Sequence, residues 1–429
     1  MRAQAAGPEP SDEPTGGIVD RITAGLLIPG RGEPVRDGVV IMDGARISYA
    51  GPAAGAPATA SAAVHQAAAV LPGLWDCHGH LLGTRVLDLA RLPLEHVALR
   101  AARCARDLRA ALDAGVTSVR EVGGLGVYLA LAVAEGVLDG PSIYPAGAIL
   151  STTRGHGDLH SYPLSWMHEF ARTDGVMRLA DGVSECMRAT REQLRRNAKV
   201  IKVCASGGVM SEIDDPVRQQ FTGPELAAIV EVATLAGRAV AARCHGKPGI
   251  MAALQAGVTT IEHGTYLDDE CCDAMRETGA ILVPTRTIIE DILANLSAVP
   301  GYAAAKLVAI AADHATAVAR ALDRGVTIAM GTDIALTGTG LPNSWGTNGA
   351  ELGHLVKLGM SPLQALEAAT ARAPRTLGPQ APRSGRLEAG YDADVITLDA
   401  DPLADIAVLA SPAHVTGVWT AGRQVKMAA

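Results

Sequence analysis

The pattern of apolar and polar positions changes twice along the chain. In residues 18–70, short apolar runs end at turn-forming residues such as Asp43-Gly44. This pattern predicts short strands, and an Asp-Gly pair between two of them predicts a hairpin. The pattern returns in residues 386–429, where Ala421-Gly422 separates two strand-like runs. We therefore predict that these two segments form one small β-sandwich domain, and that residues 1–17 are a disordered leader.

Residues 71–385 follow a different rhythm, in which helix-like segments alternate with short buried strands. A helix end, a glycine and a β-branched strand recur at Ala111–Thr117, Ala253–Thr259 and Ala321–Thr327. Such a glycine can take the left-handed conformation that ends a helix, and the alternation predicts parallel βα units. The predicted strands are Val70–Cys77, Thr117–Arg120, Ser142–Ala146, Val200–Cys204, Ala239–Arg243, Thr259–Glu262, Ala280–Val283 and Thr327–Met330. Eight such units over ~300 residues predict an α/β fold, the (β/α)8 TIM barrel.

Composition narrows the class of protein. Apolar residues make up 48% of the 429 residues, enough for a large core. No apolar run reaches the ~18 residues of a membrane span. The net charge of -8 and the aromatic content of 3% argue against a nucleic-acid surface. Seven scattered cysteines predict no disulfide framework. We expect a cytoplasmic homo-oligomer that acts on a small molecule, with neither nucleic-acid nor membrane partners.

Six polar side chains fall at or near the predicted strand ends. In a barrel, the carboxyl ends of the strands share one face, and catalytic groups lie there. Strand residues two apart point to the same side, so His78 and His80 face one place. Neutral imidazole is a common ligand of zinc and similar ions. Each side chain alone could be structural, but their coincidence predicts a metal site. The other members of the set are Lys202, His245, His263 and Asp333.

Lys202 is unusual because it lies between Ile201 and Val203 in a run that should be buried. A charged amine is costly to bury. Reaction with carbon dioxide would convert the amine into a carbamate, an anionic carboxylate that can bridge two cations. We therefore expect carbon dioxide, as a carbamate on Lys202, to belong to the site.

Several motifs resemble those of the amidohydrolase superfamily. They are most similar to its binuclear branch of Xaa-Pro dipeptidase-like (prolidase- and imidazolonepropionase-like) enzymes. The resemblance extends over residues 20–427. The similar segments are Pro72–His80 in strand one, Ile201–Val209 in the carboxylated-lysine strand, Ile261–Thr265 in strand six, Gly331–Asp333 in strand eight, and Gly385–Asp394 in the return to the β-sandwich.

The resemblance implies a metal-dependent hydrolase of amide bonds in N-acyl amino acids or dipeptide-like molecules. His78, His80 and Asp333 would hold the more buried of two divalent ions, with zinc as the expected metal. His245 and His263 would hold the second ion, and carboxylated Lys202 and a hydroxide would bridge the pair. Two ions acidify such a water. Asp333 would take the proton of the attacking hydroxide and pass it to the leaving amine.

The sequence departs from the family pattern where substrate contacts are expected. Lys247 stands two residues after His245, where the branch usually has a tyrosine. It could stabilise an oxyanion or pair with a substrate carboxylate, or it could be a solvated loop lysine. His156 matches a histidine that faces substrate in the branch, and Arg154 suits a carboxylate or lies at the surface. Lys247 and His156 are therefore candidate catalytic groups, and both join Arg154 as candidate substrate-binding residues.

Alternatives remain open. The substrate could be a carbamate-like or cyclic amide molecule, as for imidazolonepropionase. A mononuclear imidazolone- or deaminase-type hydrolase is a second possibility, although such enzymes lack the lysine bridge. A non-catalytic scaffold with this fold is a third, although scaffolds tend to lose ligands. The glycine-rich segment Ile334–Gly349 could be a mobile lid or a static loop.

Overall fold

The structure of the chain is a computed structural model that describes residues 19–59, 62–173 and 176–427. The predicted leader, residues 1–17, lies outside these ranges. The strands are Val19–Leu27 (β1), Val35–Asp43 (β2), Arg46–Pro52 (β3), Ala63–Pro72 (β4), Leu74–Thr84 (β5), Val116–Glu121 (β6), Ser142–Pro145 (β7), Ile149–Ser151 (β8), Met177–Leu179 (β9), Val200–Cys204 (β10), Ala239–Cys244 (β11), Thr260–His263 (β12), Ile281–Val283 (β13), Ile334–Leu336 (β14), Val395–Leu398 (β15), Val415–Thr420 (β16) and Arg423–Met427 (β17).

The helices lie mainly between the strands of the middle region. They are Val97–Asp113 (α1), Gly126–Ala134 (α2), Leu164–Thr173 (α3), Val183–Arg195 (α4), Gly223–Leu235 (α5), Lys247–Ala256 (α6), Asp269–Thr278 (α7), Arg286–Ala294 (α8), Gly301–Asp323 (α9), Ala350–Lys357 (α10) and Pro362–Ala369 (α11). Within the described ranges, none of these helices is both long and apolar enough to cross a membrane.

One sheet combines strands from both ends of the described chain, in the order β17-β16-β15-β4-β1-β2-β3. Both predicted hairpins are confirmed. β2 pairs antiparallel with β3 beside the Asp43-Gly44 turn, and β16 pairs with β17 beside Ala421-Gly422. Burial alternates along the first part of β1, which is the pattern of a strand with one face on a core. That core includes Ile22, Val40 and Trp419.

The middle of the chain forms parallel sheets with the orders β14-β5-β6-β7 and β13-β12-β11-β10-β8-β9. Main-chain contacts join them on one side, because Leu282 of β13 bridges Ile328, and the nearby Met330 carbonyl accepts from the amide of Cys77 in β5. On the other side, β7 and the consecutive β8 belong to different sheets. The α/β class with parallel strands is therefore as predicted.

The recurring glycine motif is confirmed. Gly115, Gly257 and Gly325 follow α1, α6 and α9, and their φ angles are 81°, 90° and 72°. A residue with a Cβ adopts this left-handed conformation only at a cost, which explains the glycine at each helix end. The repeat thus marks the point where each helix turns back toward the sheet.

The prediction of one strand at Val70–Cys77 is wrong. β4 ends at Pro72 in the sheet of the chain ends, and β5 begins at Leu74 in a parallel sheet. The chain changes sheets at Gly73, whose amide donates to the Asp394 carbonyl. A Cβ at Gly73 would lie 2.1 Å from Thr117 Oγ1, so only glycine fits this crossing. As a result, His78 and His80 lie inside β5 and not at its end.

The prediction for the last strand is also wrong in its bounds. Within Thr327–Met330 the structure has an isolated bridge at Ile328, and the assigned strand β14 lies in the segment predicted to be a loop. The amides of Ala335 and Leu336 donate to the Asn343 carbonyl, and Asn343 is 1% exposed. These contacts favour the static alternative for Ile334–Gly349 over a mobile lid. Two short strands, β8 and β9, were not predicted.

Candidate metal centre and active site

A group of three side chains, His78, His80 and Asp333, lies where β5 meets the start of β14. Their ligand atoms lie within 4.8 Å of one another. Asp333 Oδ1 is 3.1 Å from His80 Nε2 and 3.5 Å from His78 Nε2. Two imidazoles and a carboxylate form a ligand set that zinc accepts, with a position left for water or substrate. This group therefore fits one divalent ion.

Neighbouring polar groups orient both histidines. His78 Nδ1 is 2.6 Å from Glu262 Oε2, and His80 Nδ1 is 2.7 Å from the Gly123 carbonyl oxygen. When Nδ1 donates its proton to such an acceptor, the lone pair of Nε2 is free to bind a metal. Both Nε2 atoms face Asp333, so the contacts prepare the histidines as ligands.

The Glu262 carboxylate is itself held by Arg120, whose Nη2 lies 2.8 Å from it. Both side chains are fully buried. Burial raises the pKa of Glu262, but the charge of Arg120 and the contact with His78 outweigh burial and hold that pKa well below its ordinary range. Glu262 therefore stays ionised beside His78. Sequence reasoning assigned no role to Glu262 or Arg120.

Asp76, also missed as a site residue, fixes the segment that carries Asp333. Its carboxylate accepts from Thr332 Oγ1 at 2.6 Å and from Asn348 Nδ2 at 2.8 Å. The Asp333 amide then donates to the His78 carbonyl at 2.7 Å. Asp333 has a φ of 60°, a left-handed conformation that costs a residue with a side chain about 1–3 kcal/mol. The surrounding bonds compensate for this strain and hold the carboxylate against the histidines.

The remaining predicted ligands continue the same group. Lys202 Nζ lies 3.3 Å from His78 Nε2, and burial lowers the pKa of this lysine to about 8. The His263 ring centroid lies 5.1 Å from that of His78 and 4.9 Å from that of His245. These contacts extend the group of His78, His80 and Asp333. The structure therefore brings all six predicted ligands into one contiguous cluster.

Arg243, at the end of β11, is a further member that sequence reasoning missed. Its Nη2 is 3.0 Å from His245 Nε2, and His245 Nδ1 is 2.7 Å from Thr265 Oγ1. Both ring nitrogens of His245 are therefore engaged, which does not suit a ligand of a second ion. Burial and then the Arg243 charge hold the pKa values of His245 and His263 well below their ordinary range. The signal for Arg243 was its position two residues before His245, on the same face.

All six predicted ligands except His245 lie in the wall of a cavity whose remainder is mostly apolar. His156 reaches this cavity, is buried, and places its Nδ1 2.8 Å from Ser211 Oγ. The polar lining residues are His78, His80, Thr84, His156, Lys202, Arg243, His263 and Asp333, and the apolar ones include Leu82, Val86, Leu87, Leu89, Leu92, Ile149, Val176, Met177, Met210 and Ile288. Polar groups at one end of an apolar cavity suit a small molecule with one reactive polar bond.

The structure does not bring Lys247 or Arg154 to this cavity. The Lys247 ammonium lies 2.6 Å from Asp268 Oδ2 and 2.5 Å from Glu270 Oε2, at the start of α7. Arg154 is exposed in the loop before His156. The substrate contacts expected of these two residues need correction, because the Lys247 amine is paired with carboxylates and the Arg154 side chain faces solvent.

Replacing Lys247 with methionine is expected to leave kcat/KM within about twofold of wild type, since the lost ion pairs are at the surface. His156→Ala, which alters the cavity wall, is expected to lower kcat/KM by about tenfold or more. Steady-state kinetics of both variants on one amide substrate would test this. A tenfold loss of kcat/KM in Lys247→Met would instead support the substrate contact that the sequence suggested.

Comparison with known proteins places the chain among relatives over nearly its whole length. The amidohydrolase family model matches residues 69–425. Ochratoxinase from Aspergillus niger is 43% identical over 424 residues, which cover 94% of this chain and 86% of the relative. The crystal structure of A. niger ochratoxinase has a TM-score of 0.90 at 42% identity and covers 96% of both chains. A prolidase complexed with N-methylphosphonate-L-proline has a TM-score of 0.87 at 31% identity, over 96% of this chain and 100% of that one.

Proposed function

Because the chain belongs to the amidohydrolase family, we propose that it is a metal-dependent hydrolase of amide bonds in small molecules. The observation that carries this proposal is the group of His78, His80 and Asp333 in the wall of a largely apolar cavity. The relatives named ochratoxinase and prolidase support hydrolysis of an amide bond. A non-catalytic scaffold would not be expected to keep this ligand set with its orienting contacts.

The proposal includes the architecture that presents the site. We propose that the two parallel sheets form one closed (β/α)8 barrel between Gly73 and residue 385, with a β-sandwich domain formed by the described residues before Gly73 and after residue 385. The contacts of Leu282, Ile328, Met330 and Cys77 support closure, because they join the sheets through the segment before Asp333. In such a barrel the ligand cluster would lie at the carboxyl ends of the strands.

A divalent ion held by His78, His80 and Asp333, with zinc as our first choice, would polarise the scissile carbonyl and acidify a water molecule. The protein's own groups supply the rest. Burial raises the pKa of Asp333, but the nearby His78 and His80 outweigh burial and lower it, so the carboxylate is ionised. An ionised carboxylate can accept the proton of the attacking water and return it to the leaving amine. Glu262 keeps His78 oriented during both transfers.

We propose that Lys202 carries a carbamate formed with carbon dioxide. Lys202 is 2% exposed and its amine lies beside His78 Nε2. A carbamate would replace a buried positive charge with a carboxylate directed at the ion position, which removes a repulsion. Carbon-13 NMR of the protein in labelled bicarbonate should detect a carbamate carbon that Lys202→Ala lacks. A spectrum without that signal would contradict the modification.

The substrate class follows from the lining of the cavity. The apolar wall suits an apolar or aromatic acyl group, and the cationic Arg243 suits an anionic end. N-acyl amino acids and dipeptide-like molecules combine both features. A panel should therefore contain such compounds, Xaa-Pro dipeptides and ochratoxin, the last two because of the names of the relatives. Carbamates and cyclic amides represent the alternative substrates, and turnover of these alone would favour that alternative.

Removal of metal is expected to abolish turnover, and zinc is expected to restore it, because the carbonyl would lose its polarising ion. His78→Ala should behave like the metal-free protein, whereas His414→Ala, at an exposed position, should resemble wild type. The measurement is the rate on the best substrate before and after chelation, with metal content by elemental analysis. Full activity of the metal-free protein would contradict the proposal.

A further inference from the structure

Arg243 places a fixed positive charge where the predicted second ion would need its ligands. Arg243 and His245 lie two residues apart, and in the sheet Arg243 is paired with Cys204 of β10. Arg243, Cys204 and His263 all line the cavity. Within the described chain, His245 is absent from that lining. The guanidinium therefore lies between His245 and the open space of the site.

His245 has no ring nitrogen available for a metal in this arrangement. Its Nδ1 lies 2.7 Å from Thr265 Oγ1, and its Nε2 lies 3.0 Å from Arg243 Nη2. A guanidinium is a donor at every nitrogen and does not lose its proton in proteins. His245 Nε2 therefore acts as an acceptor toward Arg243. The same lone pair cannot also bind an ion.

His263 is the remaining predicted ligand of the second ion. Its Nδ1 lies 2.7 Å from Thr285 Oγ1, and its Nε2 is buried without a hydrogen-bond partner among the described residues. Its ring stacks on His245 at an interplanar angle of 6°, beside the Arg243 charge. With His245 engaged, a second ion would keep only this imidazole and one oxygen of the proposed Lys202 carbamate, next to a cation. That is fewer than the three or four protein ligands of zinc sites in proteins.

The residues around Arg243 leave space for its guanidinium. Arg243 is 7% exposed, and a Cβ on Gly208 would lie 2.3 Å from its Nη1 and 2.0 Å from His156 Nδ1. Glycine at 208 thus leaves the space that the guanidinium occupies. Nη1 is buried without a partner among the described residues, although the side chain lines the cavity. An unsatisfied buried donor of this kind indicates an acceptor that arrives with the substrate.

We propose that the centre binds one divalent ion per chain, at His78, His80 and Asp333, and that Arg243 takes the place of the second ion. This inference rests on the proposed metal-dependent function. The guanidinium supplies a permanent cation, and its free Nη1 donates to an anionic oxygen of the bound substrate. Sequence reasoning predicted two ions because it counted His245 as a free ligand and assigned nothing to Arg243.

Metal content provides the test. Wild-type protein saturated with zinc and freed of excess is expected to retain about one equivalent per chain, as three protein ligands hold one ion. His263→Ala should leave that value unchanged. Arg243→His removes the cation and adds an imidazole beside His245 and His263, so it should raise the content to about two equivalents. Arg172→His, which adds a histidine at a position 80% exposed, is the matched control and should stay at one.

A second readout does not depend on turnover. Manganese-loaded Arg243→His should show the electron paramagnetic resonance of an exchange-coupled ion pair, whereas wild type should show an isolated ion. Arg243→Lys keeps a cation and should also show an isolated ion. Two equivalents in wild type, with the second lost in His263→Ala, would overturn the inference even if Arg243→His failed to fold.

The two proposals fail in different ways. One bound ion without turnover of any amide, carbamate or ester would end the proposed function and leave the one-ion centre intact. Turnover by a protein with two bound ions would support the proposed function and contradict the one-ion centre. Zinc content and rates should therefore be measured on the same preparation.

Discussion

Replacing Asp333 with asparagine is expected to lower kcat/KM for the best amide substrate by about 10²–10⁴-fold. Asparagine keeps the size of the side chain and an oxygen toward His80, 3.1 Å away in the wild type. It cannot accept a proton, and it is a weaker ligand than a carboxylate. Initial rates on zinc-saturated protein, with zinc content measured in parallel, would separate a lost proton acceptor from a lost ion.

Asp323→Asn is the matched control, since Asp323 is an exposed carboxylate at the end of α9. This variant should keep wild-type rates. If Asp333→Asn retained its zinc and lost less than about tenfold in kcat/KM, Asp333 would not be the proton acceptor, and another group at the cavity would have to fill that role.

Replacing Arg120 with methionine is expected to reduce the free energy of unfolding by about 3–5 kcal/mol, because the variant leaves a buried carboxylate without its partner. Arg120 and Glu262 are both fully buried, and their charged atoms lie 2.8 Å apart. Arg120 also donates to the Cys77 carbonyl next to His78, at 2.6 Å. Chemical denaturation of metal-free protein would measure the loss without a contribution from ion binding.

Two further variants make this prediction specific. Arg109→Met breaks an exposed ion pair with Asp113 and should cost no more than about 1 kcal/mol. Arg120→Met combined with Glu262→Met removes both buried charges and should recover most of the stability. The double variant should nevertheless bind zinc about 10–100-fold more weakly, because His78 loses its orienting carboxylate. Unchanged stability in the single variant would show that Glu262 is neutral in the fold.

Much of the fold could be predicted from local patterns. The hairpin at Asp43-Gly44 and the glycine after each of three helices were found because turn geometry depends on a few adjacent residues. The bounds of β5 could not be found in this way. Val70 to Cys77 is one apolar run, and only the sheet contacts at Gly73 show that it crosses from one sheet to another.

The candidate site was likewise predictable only where residue type and local spacing were sufficient. His78, His80 and Asp333 were identified from spacing and position in the repeat, and the structure brings them within ligand distance. The i, i+2 rule that linked His78 with His80 also links Arg243 with His245, but an arginine does not belong to the usual set of metal ligands. Lys247 showed the opposite error, since its match to a motif position said nothing about the carboxylates of α7 that bind its ammonium.

The sequence by itself determined which residues can bind a metal, much of the order of helices and strands, and the family. Those properties depend on residue type and on neighbours along the chain. Only the tertiary structure decided which side chains meet. Glu262 orients His78 from 184 residues away, and Asp76 holds Thr332 across 256 residues. Arg243 lies close to His245 in the chain, yet the direction in which its guanidinium points depends on the residues that line the cavity around it. Contacts between distant segments and the shape of a cavity exist only after folding, and they determine whether a histidine can bind an ion or is already bound.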